Sequence, residues 1–336
     1  MPMNREKMKT GIIGAGGWGT ALAMVLAANN HQTTLWTRSE AVAREINNSH
    51  TNSVFLPGVA IPASIRATNN PSDLDETELL VIAVPTQYIR AIMNEYNFSI
   101  NGKIIVSGAK GIERHTLLRV SEILADAAGV TDKFAVLTGP SHAEEVARLM
   151  PTTVVAASTQ PDIARTVQKA FTTSEFRVYS SSDVIGAELG GALKNVIAIA
   201  AGIIDGVKMG DNTKAALITR GLAEMTRFGT ALGAEANTFS GLSGLGDLFV
   251  TCSSKHSRNR RVGEKIGSGK SLKEILAETQ TVAEGVSTSE SAFELSRKHG
   301  VEMPIVEQVY RILFDGKSPR KAINDLMMRR AKPEQW

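Results

Sequence analysis

The segment Gly14-Ala15-Gly16-Gly17-Trp18-Gly19 constrains this chain more than any other. Residues 8–13 (MKTGII) precede it and read as a short buried strand. Residues 20–30 (TALAMVLAANN) follow with the length and composition of a helix. A Gly-x-Gly-x-x-Gly sequence says little alone, but between a strand and a helix it has the context of a dinucleotide-binding turn. There, Gly14 permits the tight turn, Gly16 brings the backbone to a pyrophosphate, and Gly19 lets helix and strand pack closely. The free N–H groups of the helix N-terminus, around Gly17 and Trp18, suit an anion. On the turn alone, FAD-binding and sugar-nucleotide enzymes remain compatible.

Further strands are expected at 33–38, 64–68, 79–84, 103–107, 134–137, 153–157 and 177–179, separated by helical segments. Continuous apolar runs such as LLVIAV predict a parallel sheet covered on both faces. After about residue 183 the pattern turns helical, with expected helices at 187–204, 214–232, 272–279, 286–299 and 304–314. With 336 residues, the chain exceeds one comfortable core. We expect a dinucleotide-binding α/β domain over 1–182 and an all-α domain over 183–336.

The end of the second strand bears on the cofactor. An acidic residue there favours NAD by bonding the ribose 2′-hydroxyl. This strand ends Trp36-Thr37-Arg38, with Glu40 two residues on. Arg38 pairs well with a 2′-phosphate, so NADP(H) is the expected preference, with NAD(H) possible; the alternative is a solvated surface arginine.

Three segments carry candidate chemistry. The run 186–198 (GAELGGALKNVIA) is apolar and rich in small residues, yet contains Glu188, Lys194 and Asn195. A buried lysine beside another cation loses basicity, which suits a general acid or base near neutral pH; a lysine snorkelling from a packed helix is the alternative. Lys110 follows an expected strand and therefore sits at the carboxyl edge of the sheet, as does the turn Thr138-Gly139-Pro140-Ser141-His142-Ala143. Residues 241–247 (GLSGLGD) read as a flexible loop leading to Ser257-Arg258-Asn259-Arg260-Arg261. Arg258 suits a phosphate, with Ser257 and Asn259 as further donors and Asp247 positioned to orient a lysine.

A net charge of +3 and the lack of aromatics among the basic residues argue against nucleic acid. No histidine or carboxylate spacing suggests a metal. The single cysteine, Cys252, fits a packed thiol in a reducing compartment. The start MPMNREK has no apolar core behind it, and the longest apolar stretch, near 196–204, is short for a bilayer. A cytoplasmic protein without a membrane span is expected.

Taken together, GAGGWGTALA (14–23), VIAVPTQ (81–87), SGAKGIE (107–113), LTGPSHAEEVA (137–147), GAELGGALKNVIAIAAGI (186–203) and GLSGLGDLFVTCSSKHSRNRRVG (241–263) resemble the bacterial-type NAD(P)-dependent glycerol-3-phosphate dehydrogenases over nearly the whole chain. The resemblance implies a Rossmann-like parallel-sheet domain, an all-α domain like the C-terminal one of 6-phosphogluconate dehydrogenase, and a homodimer. It implies reversible reduction of dihydroxyacetone phosphate to sn-glycerol 3-phosphate, a phospholipid precursor. Lys194 matches the family's catalytic proton donor and acceptor. Lys110, Gly139, Ser141, Lys194, Asp247, Ser257, Arg258 and Asn259 match its substrate contacts. Gly17, Trp18, Arg38, Lys110, Ala143, Arg258, Val282 and Glu284 match its cofactor contacts. Two readings compete: a 3-hydroxyacid or 6-phosphogluconate-type dehydrogenase, and a regulatory protein that senses a dinucleotide without turnover.

Overall fold

The computed structural model describes residues 7–130, 132–278, 282–331 and 333–334. Among these, eight strands form one sheet in the order β3-β2-β1-β4-β5-β6-β7-β8. They are β1 (Lys9–Ile13), β2 (Gln32–Trp36), β3 (Arg66–Thr68), β4 (Leu79–Ile82), β5 (Ile104–Ser107), β6 (Phe134–Thr138), β7 (Thr152–Ala157) and β8 (Phe176–Ser181). Neighbouring residues of one strand enter different cores. Ile12, Val81 and Val106 pack on one face, and Ile13, Ile82 and Ile105 on the other. Side chains alternate along a strand, so a sheet covered on both faces needs the unbroken apolar runs seen in β4 and β5.

The sheet departs from the all-parallel expectation at its far edge. β1 to β6 pair in parallel, but β7 pairs antiparallel with β6, and β8 pairs parallel with β7. Between β6 and β7 lies only one short helix, Ala143–Val146. A parallel crossover usually carries a full helix across the face of the sheet, and this connection holds only that single turn, so the return favours the reversed strand.

The helix after β1 runs Gly17–Ala28, three residues earlier than expected, so Gly17, Trp18 and Gly19 form its first turn. After β8, Asp183 caps a 23-residue helix, Val184–Gly206, by accepting the Gly186 N–H at 2.8 Å. This helix exceeds the apolar stretch expected from sequence. At a mean hydropathy of 1.5 it is long and apolar enough to cross a bilayer, but that whole window is buried inside the protein. An all-round apolar helix is what a core axis requires. Around it pack Gly210–Ala231, Asp247–Ser253, Arg258–Gly267, Glu284–Lys298 and Pro304–Phe314. The expected helix 272–279 spans Leu272–Ala277, and residue 279 lies outside the described residues. The crossing of Val184–Gly206 with Arg258–Gly267 is unusually close. A Cβ on Gly202 would strike the Arg260 carbonyl oxygen, and one on Gly263 the Ile199 carbonyl oxygen. Glycine on both helices therefore sets the depth at which Arg258 and its neighbours meet the central helix.

Candidate active site

The turn between β1 and the first helix has the geometry its sequence predicts. Gly14 adopts φ +115°, open to glycine and strained for other residues, and a Cβ on Gly19 would strike the Gly14 carbonyl oxygen. A Cβ on Gly16 would meet no protein atom within 4 Å, and no side chain caps the helix. The Asn52 amide fixes the turn from below, donating to the Ala15 carbonyl and the Thr20 hydroxyl, each at 2.9 Å. Open space over Gly16 beside an uncapped helix N-terminus fits a dinucleotide pyrophosphate. Arg38 lies exposed just past β2 and forms no ion pair among the described residues. Glu40 faces its own helix, 3.7 Å from Arg44.

Lys110 follows β5 and reaches over the sheet edge, where Nζ donates to the Gly139 carbonyl at 3.0 Å and to Asp247 Oδ2 at 2.7 Å. Lys194, on the central helix, binds the other oxygen, Asp247 Oδ1, and donates to the Thr251 hydroxyl at 3.0 Å. Asp247 is 1% exposed. Burial pushes its carboxyl up, but the two lysines outweigh this and hold it below the usual carboxylate range. Burial lowers Lys194 most; Asp247 opposes this, Lys110 adds to it, and the ammonium is brought to about 8. Glu188, in the same sequence run, has a different task. It accepts from Arg119 at 2.6 Å and from the Ser121 N–H at 2.7 Å, tying the central helix to the α/β layer.

Residues 241–247 do not form the expected loop. Leu242–Gly246 make a π-helical turn that runs directly into the helix Asp247–Ser253. A loop would leave Asp247 mobile, whereas here it is fixed at a helix start with Thr251 one turn on. Sequence reasoning missed Thr251, although its i+4 spacing from Asp247 puts the two on one helix face. Thr86, also missed, follows β4 and donates its N–H and hydroxyl to Glu284 Oε1 at 2.8 and 3.0 Å. Burial holds the Glu284 carboxyl above its ordinary value, against these bonds and the two lysines.

The phosphate candidates stand at the N-terminus of Arg258–Gly267. Ser257 caps that helix, accepting the Arg260 N–H at 3.2 Å, which leaves its own proton free to donate. The Asn259 amide donates to Asn195 at 2.8 Å and accepts the Gly285 N–H at 3.0 Å. Arg260 is bound to Asp205 at 2.9 Å. Arg258 forms no ion pair among the described residues and faces the cleft. Trp18, Lys110, Ser141, Ala143, Lys194, Ser257, Arg258, Asn259, Val282 and Glu284 line one cavity of about 180 Å³. Gly139 and Asp247 lie behind its wall, bound to Lys110. Arg38 and the turn glycines 14, 16, 17 and 19 lie outside its lining. Cys252 is fully buried, and burial pushes its thiol up to about 12, as suits a packed core thiol.

A dinucleotide turn, a buried lysine of lowered basicity and a free arginine around one cleft define a dinucleotide-dependent oxidoreductase acting on an anionic substrate. The chain belongs to the NAD-dependent glycerol-3-phosphate dehydrogenase family, whose N-terminal model matches residues 9–164 and whose C-terminal model matches residues 183–324. It is 52% identical to glycerol-3-phosphate dehydrogenase (NAD(P)+) of Citrifermentans bemidjiense, across 97% of this chain and 98% of that one. Its identity to the enzyme of that name from Lysinibacillus sphaericus is 50%, with 97% and 98% covered. The crystal structure of glycerol-3-phosphate dehydrogenase from Coxiella burnetii superposes with a TM-score of 0.91 at 37% identity, covering 96% of this chain and 99% of that one.

Proposed function

We propose that this chain reduces dihydroxyacetone phosphate reversibly to sn-glycerol 3-phosphate, with NADP(H) preferred over NAD(H). The product is a backbone for phospholipid synthesis. The observation that carries the reading is the pair Lys194 and Lys110 on Asp247, beside the free Arg258. Arg258, the Ser257 hydroxyl and Asn259 hold the substrate phosphate. That places the carbonyl toward Lys194. A nicotinamide dinucleotide, when bound, supplies the hydride. Lys194 gives its proton to the developing alkoxide and recovers one from solvent, while Lys110 adds positive charge beside the same oxygen. In the reverse direction neutral Lys194 takes the proton of the alcohol. Trp18, Ala143, Val282 and Glu284, with the glycine turn, form the dinucleotide side.

Preference for NADP(H) is supported by Arg38, exposed and free of ion pairs among the described residues, and by Glu40, which faces Arg44. The reading includes a homodimer in the cytoplasm, supported by the family resemblance and by the single cysteine.

A panel of substrates with NADPH tests the reaction. We expect oxidation of NADPH with dihydroxyacetone phosphate, and kcat/KM lower by orders of magnitude for the keto forms of 3-hydroxyacids and for ribulose 5-phosphate with bicarbonate. Turnover of either rival at a comparable rate would transfer the chain to that class. Binding of NADPH without turnover of any of them would favour a sensing role.

A further inference from the structure

In the proposed reaction Lys194 serves the substrate carbonyl, and Arg258, Ser257 and Asn259 serve its phosphate. The terminal C1 hydroxyl has no designated partner. His142 supplies a candidate. It stands in the turn after β6, between Ser141 and Ala143, and its ring lines the cleft. Its Nε2 is shielded from solvent and makes no hydrogen bond to the described residues. Buried polar atoms of this kind are rare and expensive, so one kept in a binding cleft points to a ligand. Burial, then the Lys194 charge, push the imidazole below its ordinary value, so near neutral pH it is uncharged and offers one donor and one acceptor nitrogen. His256, which precedes the phosphate-binding Ser257, places its ring 5.9 Å from that of His142 at 52°. His142 thus lines the same cleft as Lys194 and stands beside His256 at the start of the phosphate segment. Among the described residues that line the cleft, the other buried nitrogen without a hydrogen bond, Trp18 Nε1, belongs to the dinucleotide turn and lies against Gly108.

We infer that, with substrate bound, the His142 ring turns about its Cβ–Cγ bond so that Nε2 enters the cleft and hydrogen-bonds the C1 hydroxyl, and so selects ketones that carry a hydroxymethyl arm. The inference rests on the proposed reaction. The test compares dihydroxyacetone phosphate with acetol phosphate, which has the same ketone and phosphate but a methyl in place of the hydroxymethyl. Wild type, His142→Phe and His142→Gln are assayed with each. We expect His142→Phe to lose about tenfold in kcat/KM on dihydroxyacetone phosphate and little on acetol phosphate. His142→Gln, which keeps a donor, is expected to recover part of that loss. An equal loss on both ketones, or an unchanged preference, would overturn the inference while the reaction stands. If the wild-type chain reduces neither ketone, the reaction fails and the inference falls with it.

Discussion

Lys110 and Lys194 hold opposite oxygens of one buried carboxylate, that of Asp247, one lysine from the sheet edge and the other from the central helix. Two ammonium groups would repel each other at this depth, and Asp247 is what keeps both there. Replacing it with asparagine keeps the shape and removes the charge. Removing one partner of a buried ionic cluster strands the others, so Asp247→Asn is expected to destabilise the protein by about 3–5 kcal/mol. Urea unfolding near pH 7 measures this. A loss within experimental error would mean that the lysines find other partners.

The same arrangement fixes the pH dependence. Lys194 is brought to about 8 by burial and by Lys110, so it is the protonated form below that pH that donates in the reductive direction. The kcat/KM for ketone reduction should be level below about 8 and fall above it, and alcohol oxidation should rise through the same region. Asp247 acts to raise the Lys194 value, so residual activity in Asp247→Asn should show a break at lower pH. Full pH–rate profiles of both directions check this.

The cofactor preference is tested at Arg38. Arg38→Ala should raise the Michaelis constant for NADPH by about tenfold or more, the loss of a charge-assisted phosphate contact, and leave that for NADH nearly unchanged. Equal effects on both would return Arg38 to the role of a solvated surface residue.

Most of the scaffold is legible in the amino-acid sequence. All eight strands are expected from it, because short apolar runs between helical segments are strong local signals. The reversal of β7 is not, since strand direction depends on the length and path of the connection and not on the strand's own residues. Lys194 and Asp247 stand out as charged residues in small, apolar surroundings. Their contact spans 53 positions and exists only once the central helix crosses Asp247–Ser253. The run 241–247 reads as a loop because its glycines signal flexibility. In the fold one of them, Gly244, serves close packing: a Cβ there would strike the Phe239 carbonyl oxygen. Glu188 shows the converse, a buried charge that sequence places in the same run as Lys194 and the fold turns toward Arg119.

Glu224 gives a prediction about stability alone. It is 3% exposed and accepts the Ile305 N–H at 2.8 Å, at the start of Pro304–Phe314. Burial lifts its carboxyl to about 7 despite these bonds. The folded chain therefore binds this proton more tightly than the unfolded one. The associated stability is present below the ordinary carboxylate value and is lost as pH rises through about 7, a change of about 3 kcal/mol. Glu224→Gln should lack this part of the pH dependence. Denaturant titrations of both proteins from pH 4.5 to 8 should show the wild-type stability falling relative to that of the variant. Curves that stay parallel over the whole range would mean that the group titrates elsewhere.

The central claim is that Lys194 supplies the proton for reduction of dihydroxyacetone phosphate. The direct measurement is steady-state NADPH oxidation with that substrate by wild type and Lys194→Ala, with NADPH affinity measured alongside. General acid catalysis contributes about 10²–10⁴-fold, so turnover should fall by that order while NADPH binding changes little. Turnover near the wild-type rate in Lys194→Ala would contradict the account.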